Sequence, residues 1–178
     1  EPRVLPLYFD PPAAALIRTI FRNQGVTLLT GKEVSQVKRR QGKLEISLAT
    51  ESVSTDILVT CIGVKPRADF LNGSGIKVNT GIVVNRKMMT NVPDIYAAGD
   101  VAEAPDFFTG EYGMNQIIES AVDEGKVAGA NMAGTATEYE GWISSNIFNF
   151  FGNTAFSAGL SMPPDSHYEV LTEKNAKK

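Results

Sequence analysis

Thr90-Asn91-Val92-Pro93-Asp94-Ile95-Tyr96-Ala97-Ala98-Gly99-Asp100-Val101-Ala102 is the stretch around which the rest of the chain is organised. Ile95 to Ala98 reads as a short buried strand that ends at Gly99-Asp100, so an apolar segment delivers a carboxylate to its carboxyl end. Gly99 lacks the side chain that would keep a ligand from the backbone there. Ligands of open α/β sheets bind beyond such strand ends. Asp100 can accept hydrogen bonds from two vicinal hydroxyls of a sugar-like chain, each strengthened by the acceptor's charge. On spacing alone a second reading stands beside the first: an Asp after a strand-end Gly often caps a turn or a helix.

Downstream of the motif, a loop rich in Pro, Phe and Gly leads to a helix expected over residues 115–132. Its inner face is expected to comprise Ile117, Ile118, Ala121, Val122, Ala128 and Met132, with Gly134 as terminator. Its amino end, at Asn115 and Gln116, would point unpaired N–H groups at the same crevice. Gly125 and Gly129 are expected to let the helix lie close to a neighbouring backbone. From Thr135 the chain turns aromatic, with Trp142, Phe148, Phe150, Phe151 and Phe156, which reads as core or subunit-interface packing rather than a ligand-stacking box.

Upstream, Ile76 to Val78 and Ile82 to Val84 flank a tight Asn79-Thr80-Gly81 turn, and Met88-Met89 reads as a plug for a core gap. The run Ile57-Leu58-Val59-Thr60-Cys61-Ile62, closed by Gly63, is apolar throughout, as in strands covered on both faces. Cys61 is accordingly expected in the core. An antiparallel meander precedes it, with 33–38 and 43–48 alternating around Gln41-Gly42. Lys38-Arg39-Arg40 then belongs to a solvated hairpin tip. Nearer the start, Val26 to Leu29 reads as a buried strand. Asp10-Pro11-Pro12 begins a helix, with Asp10 as N-cap and Leu16, Ile17, Ile20 and Phe21 on one face. The fold class expected is α/β.

Apolar residues are 43% and charged residues 21% of the 178, ordinary values for a globular protein. The net charge of -3, with no basic cluster longer than Lys38-Arg39-Arg40, argues against nucleic acid as partner. No apolar stretch approaches the roughly 20 residues of a bilayer span, so no membrane segment is expected. One Cys and one His, Cys61 and His167, form neither a disulfide nor a zinc ligand set within the chain. A cytoplasmic location is expected.

The pattern Thr-x-x-Pro-x-Ile-Tyr-Ala-x-Gly-Asp of residues 90–100 resembles the second flavin-binding motif of the FAD-dependent pyridine nucleotide-disulfide oxidoreductases. That family includes NADH oxidases, coenzyme A disulfide reductases, ferredoxin and rubredoxin reductases, and the NADH-binding part of nitrite reductase. The likeness extends to Thr60-Cys61-Ile62-Gly63-Val64-Lys65-Pro66, where the nucleotide domain returns the chain to the flavin domain. It includes Gly81-Ile82-Val83-Val84 before the Asp motif and Ala121 to Ala128 after it. Arg3-Val4-Leu5-Pro6 is similar to the segment past the second strand of the NAD(P) domain.

The resemblance implies a partial two-dinucleotide-binding-domain, Rossmann-like architecture. Residues 1–68 correspond to the carboxy-terminal part of the NAD(P) domain and 69–134 to that of the FAD domain. Residues 135–178 correspond to the start of an α+β interface domain. It implies that Asp100 binds the FAD ribitol, with Gly99, Val101, Asn115, Gln116 and Gly63 as further cofactor-binding positions and no catalytic residue among them. In the intact protein the expected cofactors are FAD and NAD(P)H, with a small-molecule or redox-protein electron acceptor and a homo-oligomeric state. Neither Gly-x-Gly-x-x-Gly loop of the family occurs in this sequence. Gly73-Ser74-Gly75 reads as a surface turn, since Val78 stands at the third glycine position. The chain is therefore expected to be a carboxy-terminal piece, either of that oxidoreductase or acting as a cofactor-free folding and assembly module.

Overall fold

The computed structural model describes residues 1–162 and 167–173. It contains helices α1 (Pro11–Asn23) and α2 (Ile118–Met132). Its strands are β1 (Val34–Arg40), β2 (Lys43–Leu48), β3 (Ser52–Thr55), β4 (Ile82–Val83), β5 (Ala102–Pro105), β6 (Tyr112–Gly113), β7 (Ser145–Phe150) and β8 (Asn153–Ala158). Three sheets form, in the orders β1-β2-β3, β4-β5-β6 and β7-β8. The expected mixed α/β class is what the chain adopts. Contacts divide it into two units, residues 1–38, 45–53 and 146–178 in one, and 39–44 with 54–145 in the other.

In the first unit, α1 starts as its sequence dictates. The Asp10 carboxylate accepts a hydrogen bond from Ala13 N at 2.9 Å, and the prolines occupy the first turn, where no N–H is missed. Ala14 and Ile17 are buried, whereas Leu16 is exposed. Aromatic rings pair here: half-buried Phe148 of β7 meets Tyr8 and Phe9 at ring-centroid distances of 5.4 and 5.7 Å, and Phe21 meets half-buried Phe150 and exposed Phe151 at 5.2 Å. Phe156 of β8 is also exposed. Residues 39–44 belong to the second unit, and there the Gln41-Gly42 turn has both residues at positive φ, 49° and 83°, as a two-residue hairpin requires.

The second unit holds the main core, built from Ala68, Ile82, Val84, Met88, Ala102, Ala104, Val127, Ala128 and Tyr139. Strand β4 pairs in parallel with β5, and β5 antiparallel with β6. The Asn79 to Gly81 turn forms as expected, closed by a Val78 to Ile82 antiparallel bridge. Met88 is fully buried and fills the centre of this core. Gly134, at φ 82°, follows the last turn of α2.

Several sequence expectations are corrected. Residues 26–29 and 57–62 form no strand. Cys61 is exposed, and Ile57, Val59 and Ile62 are exposed by 77%, 75% and 95%. A doubly covered strand needs ladder partners and layers on both faces, and no described residue of this chain supplies them. Ile95 to Ala98 reaches only a single bridge, Met89 to Tyr96. Helix α2 begins at Ile118 rather than Asn115, and its buried residues are Ser120, Glu124, Val127 and Ala128. Ile118, Val122 and Met132 face solvent. The buried face joins the core cluster of Ile82, Ala102 and Tyr139 through Val127 and Ala128, and it also carries two polar side chains, Ser120 and Glu124. Gly125 and Gly129 lie on the open face, where an added Cβ would meet nothing within 4 Å.

Candidate functional site

Asp100 sits in the turn between the Tyr96 bridge and β5. It caps no helix: the N-caps are Asp10 for α1 and Ile117 for α2. Its side chain is exposed and makes no hydrogen bond among the described residues. A carboxylate left without an internal partner in such a turn is free to accept from a ligand. The turn itself is anchored beneath it. Gly99 has φ 79°, a conformation that side chains with a Cβ seldom adopt, and its N–H donates to Glu124 Oε2 at 2.7 Å. An added Cβ at Gly99 would lie 3.5 Å from the Ala121 methyl, so α2 runs directly under this turn. The helical Glu124 was not foreseen as part of the site. The legible signal was its spacing with Ser120, Val127 and Ala128 on one helical face.

The segment before α2 reaches the same turn. Gln116 Nε2 donates to the Asp100 carbonyl oxygen at 3.4 Å. The Asn115 amide spends its donors internally, on Ser120 Oγ at 2.8 Å and the Ile143 carbonyl at 3.1 Å, which leaves its Oδ1 as acceptor. Val101 is half-buried against the core, and its carbonyl accepts from Ile82 N at 2.7 Å, tying the site to β4. Gly63 lies in the extended exposed run at φ 94°, with no neighbouring side chain within 4 Å of where a Cβ would stand. The structure thus brings Gly99, Asp100, Val101 and Gln116 together, with Asn115 next in the chain.

Burial raises the Glu124 carboxyl to about 7; the Gly99 N–H pulls it back and the Asp100 charge pushes it further up. The neighbouring Tyr139 phenol is raised to about 12, first by burial and then by the Glu124 charge, with the Ser120 side chain opposing. Tyr139 and Ser120 also line a separate open cleft of ≈ 710 Å³ between α2 and residues 137–145, floored by Val127 and Trp142. Asp100 does not line that cleft. Among the described residues no group of three or more His, Cys, Asp or Glu is placed to hold a metal ion. No helix among them is long and apolar enough to cross a membrane.

The family described as pyridine nucleotide-disulphide oxidoreductase matches residues 1–125. The chain belongs to that family. Among curated relatives, the epsilon subunit of an NADH-dependent phenylglyoxylate dehydrogenase from Aromatoleum evansii is 37% identical over 96% of this chain. An NADH oxidase from Methanocaldococcus jannaschii is 30% identical over 92% of it. The chain spans only 41% and 38% of their lengths. Among solved structures, the water-forming NADH oxidase from Lactobacillus brevis bound to NADH superposes with TM-score 0.83 at 31% identity, covering 89% of this chain and 35% of that one. An NAD-dependent persulfide reductase from A. fulgidus gives TM-score 0.83 at 30% identity, with 89% and 30% covered. The sequence-based family resemblance is thereby established for the part of the fold that this chain carries.

Proposed function

We propose that the intact protein carrying this chain is a flavoprotein oxidoreductase that moves hydride from NAD(P)H to FAD and on to a disulfide, oxygen or redox-protein acceptor. The observation that carries this reading is the exposed Asp100 carboxylate, unpartnered among the described residues and presented on a glycine turn just before β5. Those residues fit a flavin nucleotide: a charged acceptor suits the ribityl hydroxyls, and Gly99 leaves the backbone approachable. In this reading Asp100 holds the polyol, Gly99 and Val101 flank it, and Asn115 and Gln116 face the ring system. Gly63 lies at the passage between domains. FAD supplies the redox chemistry when bound, while these side chains bind and orient it.

NADH is named for the two curated relatives, and one solved neighbour is described as bound to it. The domain division 1–68, 69–134 and 135–178, a cytoplasmic location and homo-oligomerisation complete the proposal. Replacing Asp100 with Ala in the intact protein weakens FAD retention by at least tenfold, measured by titrating the apoprotein with FAD. Unchanged affinity overturns the reading.

A second reading is favoured by one observation, the exposed run of Ile57, Val59, Ile62 and Val64. An extended apolar segment without ladder partners favours strand addition, so the isolated chain would serve as a cofactor-free folding or assembly module. A colourless preparation that sediments as an oligomer supports it, and one equivalent of bound flavin per chain refutes it.

A further inference from the structure

Glu124 is the most deeply buried charged side chain among the described residues, at 2% exposure. Its Oε2 accepts the Gly99 N–H at 2.7 Å across 25 residues of sequence. A buried carboxylate is tolerated only where its hydrogen bonds offset lost hydration, so this contact holds both partners in place. The turn is gripped a second time one residue on, where Gln116 Nε2 donates to the Asp100 carbonyl. Asp100 therefore projects from a turn held on one side by α2 and on the other by the segment leading into it. The charged and titratable groups facing Glu124 are Asp100, from that turn, and Tyr139, from the segment after α2.

We propose that Glu124 is a positioning residue for the flavin site, fixing the Gly99 to Asp100 turn in the conformation that presents the Asp100 carboxylate to the cofactor polyol. This rests on the reading of Asp100 as a flavin ligand. A second consequence follows from electrostatics. Cofactor covering Asp100 removes the water that screens it, which strengthens its repulsion of an ionised Glu124. Binding then favours the protonated form of Glu124, so by linkage the affinity falls as pH rises through about 7.

The test titrates the intact apoprotein with FAD on either side of neutral pH, for the wild type and for Glu124→Gln, Glu124→Leu and Asp100→Ala. Wild-type affinity is expected to fall between about threefold and tenfold as pH rises through Glu124's titration. Glu124→Gln keeps an acceptor for Gly99 N–H but cannot titrate, so it loses the pH slope while binding FAD well above the Leu variant. Glu124→Leu leaves that N–H unpaired and binds about tenfold or more weakly at every pH. A wild-type slope that persists in Glu124→Gln, or Glu124→Leu binding as tightly as wild type, overturns the proposal. If the Leu variant does not fold, the slope in Glu124→Gln decides alone. Wild-type affinity in Asp100→Ala removes the flavin reading itself, whereas loss there with an unaltered slope in Glu124→Gln removes only the positioning role.

Discussion

Glu103 Oε2 accepts the backbone N–H groups of both Thr80 and Gly81 at 3.0 Å, so one buried carboxylate of β5 closes the turn that precedes β4. Its Oε1 takes a third bond from Asn79 Nδ2 at 3.3 Å. This is how a 7% exposed carboxylate is accommodated in the core. Charge-assisted bonds of this kind are strong, and deleting the acceptor leaves buried donors unpaired. Glu103→Ala should cost about 2–3 kcal/mol of folding stability, measured by denaturant unfolding. Glu103→Gln recovers only part, because one of its two terminal atoms is a donor. A Glu103→Ala protein as stable as wild type would show that the turn closes without it.

Two glycines of the same region fail for different reasons. At Gly81 an added Cβ would lie 2.7 Å from the Val101 carbonyl oxygen and 2.8 Å from Met114 Sδ. The thioether can yield, but the carbonyl is itself bonded to Ile82 N. Gly81→Ala should therefore cost about 3 kcal/mol through overpacking. At Gly99 the space is adequate and only the positive φ resists, so Gly99→Ala should cost about 1–2 kcal/mol. Comparison of the two melting temperatures checks the order, with Gly81→Ala the lower.

The pH dependence of folding stability follows from Glu124. Burial pushes its folded carboxyl up to about 7, from the ordinary 4.5. A raised value means the native state binds the proton more tightly than the unfolded chain does. The contribution is fully present below 4.5 and is lost as pH rises through about 7. The full swing is at most about 3 kcal/mol. Glu124→Gln should flatten it and be the more stable of the two above neutral pH. Urea midpoints that change with pH identically in both proteins would contradict this assignment.

Trp142 anchors residues 137–145 to β5 by donating its indole Nε1–H to the Ala104 carbonyl at 2.9 Å. Ala104 is fully buried, so no water replaces a lost donor there. Trp142→Phe keeps most of the apolar contact but orphans that carbonyl, at a cost of about 1–3 kcal/mol. Circular dichroism melting measures the loss. Because Trp142 is the only tryptophan, its fluorescence in the wild type reports unfolding of this unit alone.

Local chemistry explains which elements were legible beforehand. Asp10 with two prolines begins α1, Gln41-Gly42 turns the hairpin, and Asn79 to Gly81 turns the chain before β4. Each depends on a residue's own backbone preference or a hydrogen bond within a few residues. The strands expected at 26–29 and 57–62 failed for the opposite reason. Their apolar composition describes an environment, and a strand exists only where another backbone satisfies its N–H and C=O groups.

The sequence by itself determined the family, through the eleven-residue pattern ending at Asp100, and the position of that carboxylate after a glycine turn. Only the tertiary structure decided that Asp100 caps no helix and is exposed, that α2 buries Ser120 and Glu124 instead of Ile118 and Val122, and that Glu124 holds Gly99. The physical reason is the range of the forces involved. Turn and cap preferences act over a few neighbouring residues, whereas burial of a carboxylate depends on partners that only packing brings within 3 Å, here 25 residues apart.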